Sequence, residues 1–367
     1  MRLMYCGKFK DVFPFIKNGA NIKQDVNAGG IPITRIETLA GGEFNTSRLG
    51  YANIFDISPY YEYVLNSGDI LMSHINSPAY LGRAVVFEDK YDIVIHGMNL
   101  LRLKANKELI DSRYAVYLFS GNIFKEHIRK ITKKSVNQAS FSINDLKEIE
   151  IQLPSIENQV IIAEKLDKLK MLIKKKNRLI LFLDEMIKSR FDELIIGDKC
   201  DRLMFNDLFF CTTGKLDSNA AIKGGRYPFF TCAKEIFYIN DYAFDQEALL
   251  LAGNNAAGKY DVKYYNGKFN AYQRTYVLSL RKKGIYSIFK KQLEDKLEYL
   301  QSQSKGSTTR YLTMGILKKL TFCVPDMEIQ LKLDKEIQQI NKLKSDVQKS
   351  IDETQLLMDS LMQEYFG

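Results

Sequence analysis

The chain has 367 residues and a formal net charge of +9, with 46% hydrophobic and 26% charged residues. That is the balance of an ordinary soluble protein of two to three domains. No apolar run is long enough for a helical membrane span, and the start Met1-Arg2-Leu3-Met4-Tyr5-Cys6 lacks the apolar core of a signal peptide, so the expected location is cytoplasmic.

In chain order, the first half reads as short apolar strands preceded by turn residues, over 30–36, 68–73, 83–87 and 99–103. An amphipathic helix over about 111–130 follows. A hydrophobic run, Ile149-Glu150-Ile151-Gln152-Leu153, then leads into Pro154, Glu157 and Gln159. From Glu157 to Ile196 there is no Gly and no Pro, and the pattern is helical. The second half repeats the plan with strands at 227–230, 248–251 and 275–280 and a helix over about 285–302.

The lead-in returns as Leu320-Thr321-Phe322-Cys323-Val324 before Pro325, Glu328 and Gln330. Pro154 over Pro325 is an offset of 171, and at that offset residues 135–196 lie over 306–367 without a gap. Proline just before a helix is physically sensible, since it fixes φ where no donor is needed. The period is far too long for a solenoid, so the chain reads as two pseudo-equivalent halves, each a mixed α and β domain followed by a long helix.

Both helices carry an apolar stripe in alternating steps of three and four. The seam comprises Leu166, Leu169, Ile173, Ile180, Leu183 and Ile187 in the first, and Ile337, Ile340, Val347, Ile351, Met358 and Leu361 in the second. Each helix would run on the order of 55–60 Å and cannot bury its stripe alone. The first carries +2 and the second −3, which favours pairing with each other. A whole domain lies between them, so the pairing is expected to be antiparallel, with Lys176 near Val347 and a domain at each end. Lys176, Arg190 and Lys344 at seam positions read as snorkelling side chains. Leu172, Leu179 and Met186, echoed by Leu343 and Leu357, form a second stripe for a partner or for the domains.

Three spots approach catalytic motifs. Gly253-Asn254-Asn255-Ala256-Ala257-Gly258-Lys259 fits the start of a phosphate-binding loop, but Tyr260 stands where a Ser or Thr is needed. Ser77-Pro78-Ala79-Tyr80 is similar to the Ser-Pro-Pro-Tyr box of amino-methyltransferases, with Ala79 in place of the second proline. His74, His96 and His127 have no Cys or carboxylate at metal spacing, so no metal site is expected. The five cysteines are scattered without a Cys-x-x-Cys pair and read as reduced structural thiols. The chain looks like a binder.

The second globular half carries +7 of the charge, which points to an anionic partner such as nucleic acid. Polar and aromatic residues in loops after strands supply the candidates for DNA contact. They are Ser73, His74, Asn76, Tyr80 and Arg83, then Asn254, Asn255, Lys259 and Tyr260, then Gln273 and Arg274. Asn, Gln and Arg are the types that read base edges bidentately. Lys133, Lys134 and Arg310, with Lys125, Arg129, Lys130, Arg281, Lys282, Lys283, Lys290 and Lys291, suit phosphates. The bland reading of each is a solvated helix face or an ordinary turn.

With these features the chain resembles the specificity subunits of type I restriction-modification systems. The resemblance rests on Leu153-Pro154-Ser155-Ile156-Glu157-Asn158-Gln159 and its copy Val324-Pro325-Asp326-Met327-Glu328-Ile329-Gln330. It also rests on Asn137-Gln138-Ala139-Ser140-Phe141-Ser142, Gly68-Asp69-Ile70-Leu71 and Gly225-Arg226-Tyr227-Pro228-Phe229. The copy lacks the leucine before Pro325. The resemblance implies an α+β fold of two mixed α/β target-recognition domains (1–153 and 198–324). Two long helices (154–197 and 325–367) would separate them as an antiparallel coiled coil with pseudo-two-fold symmetry. Each domain would read half of a bipartite double-stranded DNA target. The helices would set the spacing and dock two modification methyltransferase subunits, to which restriction subunits add. Methyl donor and ATP would belong to those partners and not to this chain, which would be non-catalytic. The rival readings are a specificity subunit of a methylation-only or phage-exclusion system, and a coiled-coil scaffold with no DNA role.

Overall fold

The computed structural model describes residues 3–25, 27–88, 93–134, 138–195, 200–256, 258–306 and 309–367. The chain divides into two units, Met1–Asn177 with Lys349–Gly367, and Arg178–Gln348, so the division cuts across both long helices. Each unit mixes helix and sheet.

In the first unit, a four-stranded antiparallel sheet has the order Phe15–Asn18, Leu100–Lys104, Ile70–Ser73, Ala84–Val86. Ile70–Ser73 is buried at every residue, which is why it reads as an unbroken apolar run. The rings of Phe9, Phe13, Phe119 and Phe124 interlock beneath the sheet at centroid distances of 4.6–6.0 Å. Arg102 is buried beside Asp69 at 3.8 Å, and its guanidinium donates to the carbonyls of Val64 and Glu62 at 2.7 and 2.8 Å.

The second unit holds a six-stranded sheet in the order Phe209–Thr213, Thr275–Leu280, Phe244–Ala252, Val262–Ala271, Tyr227–Phe230, Phe237–Ile239. All its pairings are antiparallel except Val262–Ala271 with Tyr227–Phe230.

The duplication runs deeper than the repeated segment. In the first unit Leu3–Lys8 pairs antiparallel with Glu150–Pro154, and Phe9 N donates to Ile149 O at 2.8 Å. In the second, Asp201–Met204 pairs antiparallel with Thr321–Val324, and Phe205 N donates to Leu320 O at 2.9 Å. Phe9 and Phe205 each open a four-residue helix and are fully buried.

Several expectations need correction. Residues 30–36 form isolated bridges at Gly30 and Ile33 instead of a strand, since Pro32 has no N–H to pair, and Ile36–Gly42 is a 3-10 helix. The helix expected over 111–130 is two, Ser112–Ser120 and Asn122–Ile131. Between them Gly121 turns extended, and a Cβ there would come within 2.4 Å of Phe366 Cβ. The helix over 285–302 is likewise Tyr286–Asp295 and Leu297–Gln303. Cys200 and Cys323 are joined in a disulfide with Cα atoms 5.6 Å apart, so two of the five cysteines are not free thiols. The strand register that sets Arg202 opposite Cys323 brings them together.

The long helices are Ile156–Ile195 and Met327–Phe366, each of 40 residues. Every seam residue from Leu166 to Leu361 is buried or half-buried, while Leu172, Leu179, Met186, Leu343 and Leu357 are exposed. The seam cations do not snorkel. In the first unit Lys176 Nζ donates to Ser350 O at 2.9 Å and to the hydroxyls of Ser350 and Thr354 at 2.8 Å. In the second, Arg190 grips Glu336 through two nitrogens at 2.7 and 3.2 Å, and Lys344 pairs with Asp184. Between these two pairs residue numbers rise along one helix as they fall along the other.

The repeated glutamine is a lock. Gln159 is fully buried; its Nε2 donates to Leu109 O and Pro154 O at 2.8 and 2.9 Å, and its Oε1 accepts from Asp111 N at 3.1 Å. Asp111 caps the helix Ser112–Ser120. Gln330 repeats the device: Nε2 donates to Pro325 O at 2.8 Å, and Oε1 accepts from Ile285 N at 2.9 Å, at the start of Tyr286–Asp295.

Candidate nucleic-acid interface

In the first unit a three-stranded sheet, ordered Ile75–Asn76, Ala139–Ser140, Lys133–Lys134, brings the 73–83 loop to the two lysines. The loop is tied at its base by Ser73 N to Arg83 O and Gly82 N to Ser73 O, both 2.8 Å. Asn76 Nδ2 donates to Ser73 Oγ at 3.2 Å, and the Arg83 guanidinium lies 4.4 Å over the Tyr80 ring. Tyr80, Lys133 and Lys134 are exposed, and Asn76 and Arg83 are half-buried. Ser73 and His74 are buried and serve the inside of the loop. Pro78–Tyr80 is a 3-10 helix with Ala79 exposed.

Burial holds the imidazole of His74 down at about 4 and that of His96 at about 3, against an ordinary 6.5. His96 Nε2 donates to Leu100 O at 2.9 Å. Both are therefore neutral in the fold, while the unfolded chain takes up its protons as pH falls through 6.5. Their contribution is complete above 6.5 and is lost between there and about 4 for His74 or about 3 for His96. The expected outcome is a loss of about 1–2 kcal/mol per histidine by about pH 5, read from urea unfolding midpoints. Midpoints that stay flat across that range would contradict the burial of both rings.

In the second unit Asn254–Asn255 pairs antiparallel with Arg310–Tyr311. Asn255 Oδ1 accepts from Lys259 N at 3.2 Å, and Arg310 donates to Gln301 O at 3.4 Å. The stretch from Gly253 to Lys259 joins the strand Phe244–Ala252 to the strand Val262–Ala271, where a phosphate-binding loop would enter a helix. Residue 257 lies outside the described residues. Tyr260 points into the core with Leu249, Leu251 and Leu300, so it is not a surface residue. Gln273 and Arg274 are exposed and line a cleft of about 270 Å³ with Gly253 and Tyr311. Gly253 N donates to Arg274 O at 2.9 Å, and Gly253 O accepts from Leu312 N at 2.8 Å, so one glycine fastens the turn and the strand. A Cβ on Gly253 would lie 2.3 Å from Arg274 O, which leaves room for glycine alone.

Some basic residues are already engaged by neighbours within the chain. Arg281 lies 3.8 Å over the Phe210 ring and donates to the carbonyls of Asn206 and Phe209 at 2.6 and 3.1 Å. Lys290 and Lys291 pair with Glu294 and Asp295 one turn on, and Arg129 pairs with Glu126. The candidates that sequence reasoning missed are Tyr311 and Asp217. At the offset of 171, Arg310 and Tyr311 fall on Ala139 and Ser140, the middle strand of the first unit's small sheet, so the repeat itself carried the signal for Tyr311.

Among the described residues no helix is long and apolar enough to cross a membrane, and no group of His, Cys, Asp and Glu is placed to hold a metal. The sequence model of the type I restriction modification DNA specificity domain matches residues 6–181 and again 205–354. The chain is 37% identical over 187 residues to the putative type I restriction enzyme MjaX specificity subunit of Methanocaldococcus jannaschii, covering 51% of this chain and 44% of that protein. It is 38% identical over 146 residues to the type I restriction enzyme EcoDI specificity subunit of Escherichia coli, covering 38% of this chain and 31% of that protein. The matched stretches thus span less than half the length of these two relatives. The S subunit of a type I restriction-modification system from M. genitalium has a similar fold, with a TM-score of 0.61 at 14% identity over 99% of this chain and 96% of that one. Two matches that together take in most of the chain, one in each half of the duplication, place this protein in the type I restriction-modification DNA specificity family.

Proposed function

We propose that the chain is the DNA-recognition subunit of a type I restriction-modification assembly. The domains at 1–153 and 198–324 each read half of a bipartite duplex target. The helices at 154–197 and 325–367 pack as an antiparallel coiled coil with pseudo-two-fold symmetry and set the spacing. Asn76, Tyr80, Arg83, Lys133 and Lys134 face DNA in the first half. Asn254, Asn255, Lys259, Gln273, Arg274 and Arg310 do so in the second. Two modification methyltransferase subunits dock on the helix pair, where Leu172, Leu179 and Met186 are exposed. Restriction subunits add to that core. Methyl donor and ATP bind to those partners, and this chain acts in the cytoplasm without catalysis of its own.

The observation that carries this reading is the duplicated platform: each unit joins a polar loop to a basic strand through a small sheet beside its core. Binding of the full chain to duplex DNA should weaken linearly in a double-logarithmic plot against salt, with a slope of about 0.9 per phosphate neutralised. A coiled-coil scaffold would give no slope, and that result would remove the reading.

A further inference from the structure

Resting on that reading, we propose that Gln273 reads an adenine in the second unit's half-site and that Asp217 is the residue that positions it. The turn that carries Gln273 is fastened at every residue. Tyr272 N donates to Phe230 O and Gln273 N to Leu216 O, both at 2.9 Å. Arg274 O accepts from Gly253 N at 2.9 Å, and Thr275 N closes the turn on Tyr272 O at 2.8 Å. Cys232 Sγ adds a contact to Arg274 O at 3.4 Å. With the backbone held from three separate segments, the two side chains at the tip are the parts left to meet a ligand, and both are exposed.

The tip is also prepared on the side-chain level. Asp217 Oδ1 accepts from Gln273 Nε2 at 3.4 Å, and the same oxygen accepts from Ser218 N at 3.3 Å, which anchors the carboxylate. A glutamine so held keeps its amide oxygen and its second amide hydrogen for a partner. Those are one acceptor and one donor side by side, the pair that matches adenine N6 and N7 in the major groove. Holding the rotamer before binding lowers the entropy cost of making both bonds. Guanine presents two acceptors there and is matched by an arginine instead, so Arg274 beside it is suited to a neighbouring base.

The test is selection of bound sequences from a pool of random duplexes by the full chain at low salt. Wild type should enrich a two-part motif. Gln273→Ala should lose about tenfold or more of the preference at one A·T pair of one half, with every other position unchanged. Asp217→Ala should weaken preference at that same pair, and Asp217→Asn, which keeps an acceptor facing Gln273, should restore it. Thermal unfolding of each variant serves as the folding control. An unchanged motif for Gln273→Ala, a change confined to a G·C pair, or an Asp217→Ala variant that weakens all positions equally overturns the proposal while leaving the DNA-reading function standing. Failure of wild type to enrich any motif overturns both.

Discussion

Gln159→Leu is expected to lower the stability of the first unit by about 3 kcal/mol or more, since each buried partner left unmade costs about 1–3 kcal/mol. The replacement keeps the volume and removes both polar ends. Asp111 N then loses its acceptor, and the carbonyls of Leu109 and Pro154 lose their donor, around a side chain that is itself fully buried. Gln330→Leu strands two groups, Ile285 N and Pro325 O, and should cost less, about 2 kcal/mol or more. Urea unfolding of the two variants measures both values. Costs under about 1 kcal/mol would mean that water or a shifted backbone replaces the lost bonds and that the lock is dispensable.

Removal of one facing heptad from each long helix, 173–179 and 347–353, should shorten the DNA spacer by about three base pairs. These blocks face each other because Lys176 meets Ser350. Seven residues at 1.5 Å each amount to about 10 Å, and base pairs rise about 3.4 Å. A heptad deletion keeps the apolar seam in phase, so the helices can close again on Leu169, Ile180 and their partners. Methylome sequencing of a host that carries the variant with its modification subunit should show both half-sites kept and the gap between them changed. A variant that reads different bases across an unchanged gap would mean that the helices do not act as the ruler.

What was legible in the sequence had local periodicity. The heptad steps from Leu166 to Leu361 need only neighbours three and four apart to show a helix and its buried face. The Pro-to-Gln lead-in was visible because it is repeated at a constant offset, although nothing local revealed what Gln159 and Gln330 hold. The strand Val262–Ala271 was hidden, because its exposed Tyr264, Asn266 and Lys268 alternate with half-buried residues around Gly267, whose φ is +127°. Phe9 and Phe205 are equivalent at an offset of 196, not 171, so an ungapped comparison passes over the strand just ahead of each. The disulfide joins residues 123 apart, a distance set by strand register and not by any spacing rule. Tyr260 was misread for a related reason: its place in a polar loop after a strand put it at a surface, whereas the strand that follows draws its ring into the core.

The atoms that Gln159 and Gln330 grip are all main-chain atoms: the carbonyls of Leu109, Pro154 and Pro325 and the amides of Asp111 and Ile285. Any residue supplies such a carbonyl, and any but proline such an amide. This grip of each helix on its domain is thus indifferent to side-chain identity, whereas the bonds of Tyr117 to Asp167 and of Ser287 to Asp334 depend on it. Substitutions at Leu109 or Ile285 that leave the backbone in place therefore leave each glutamine its main-chain partner.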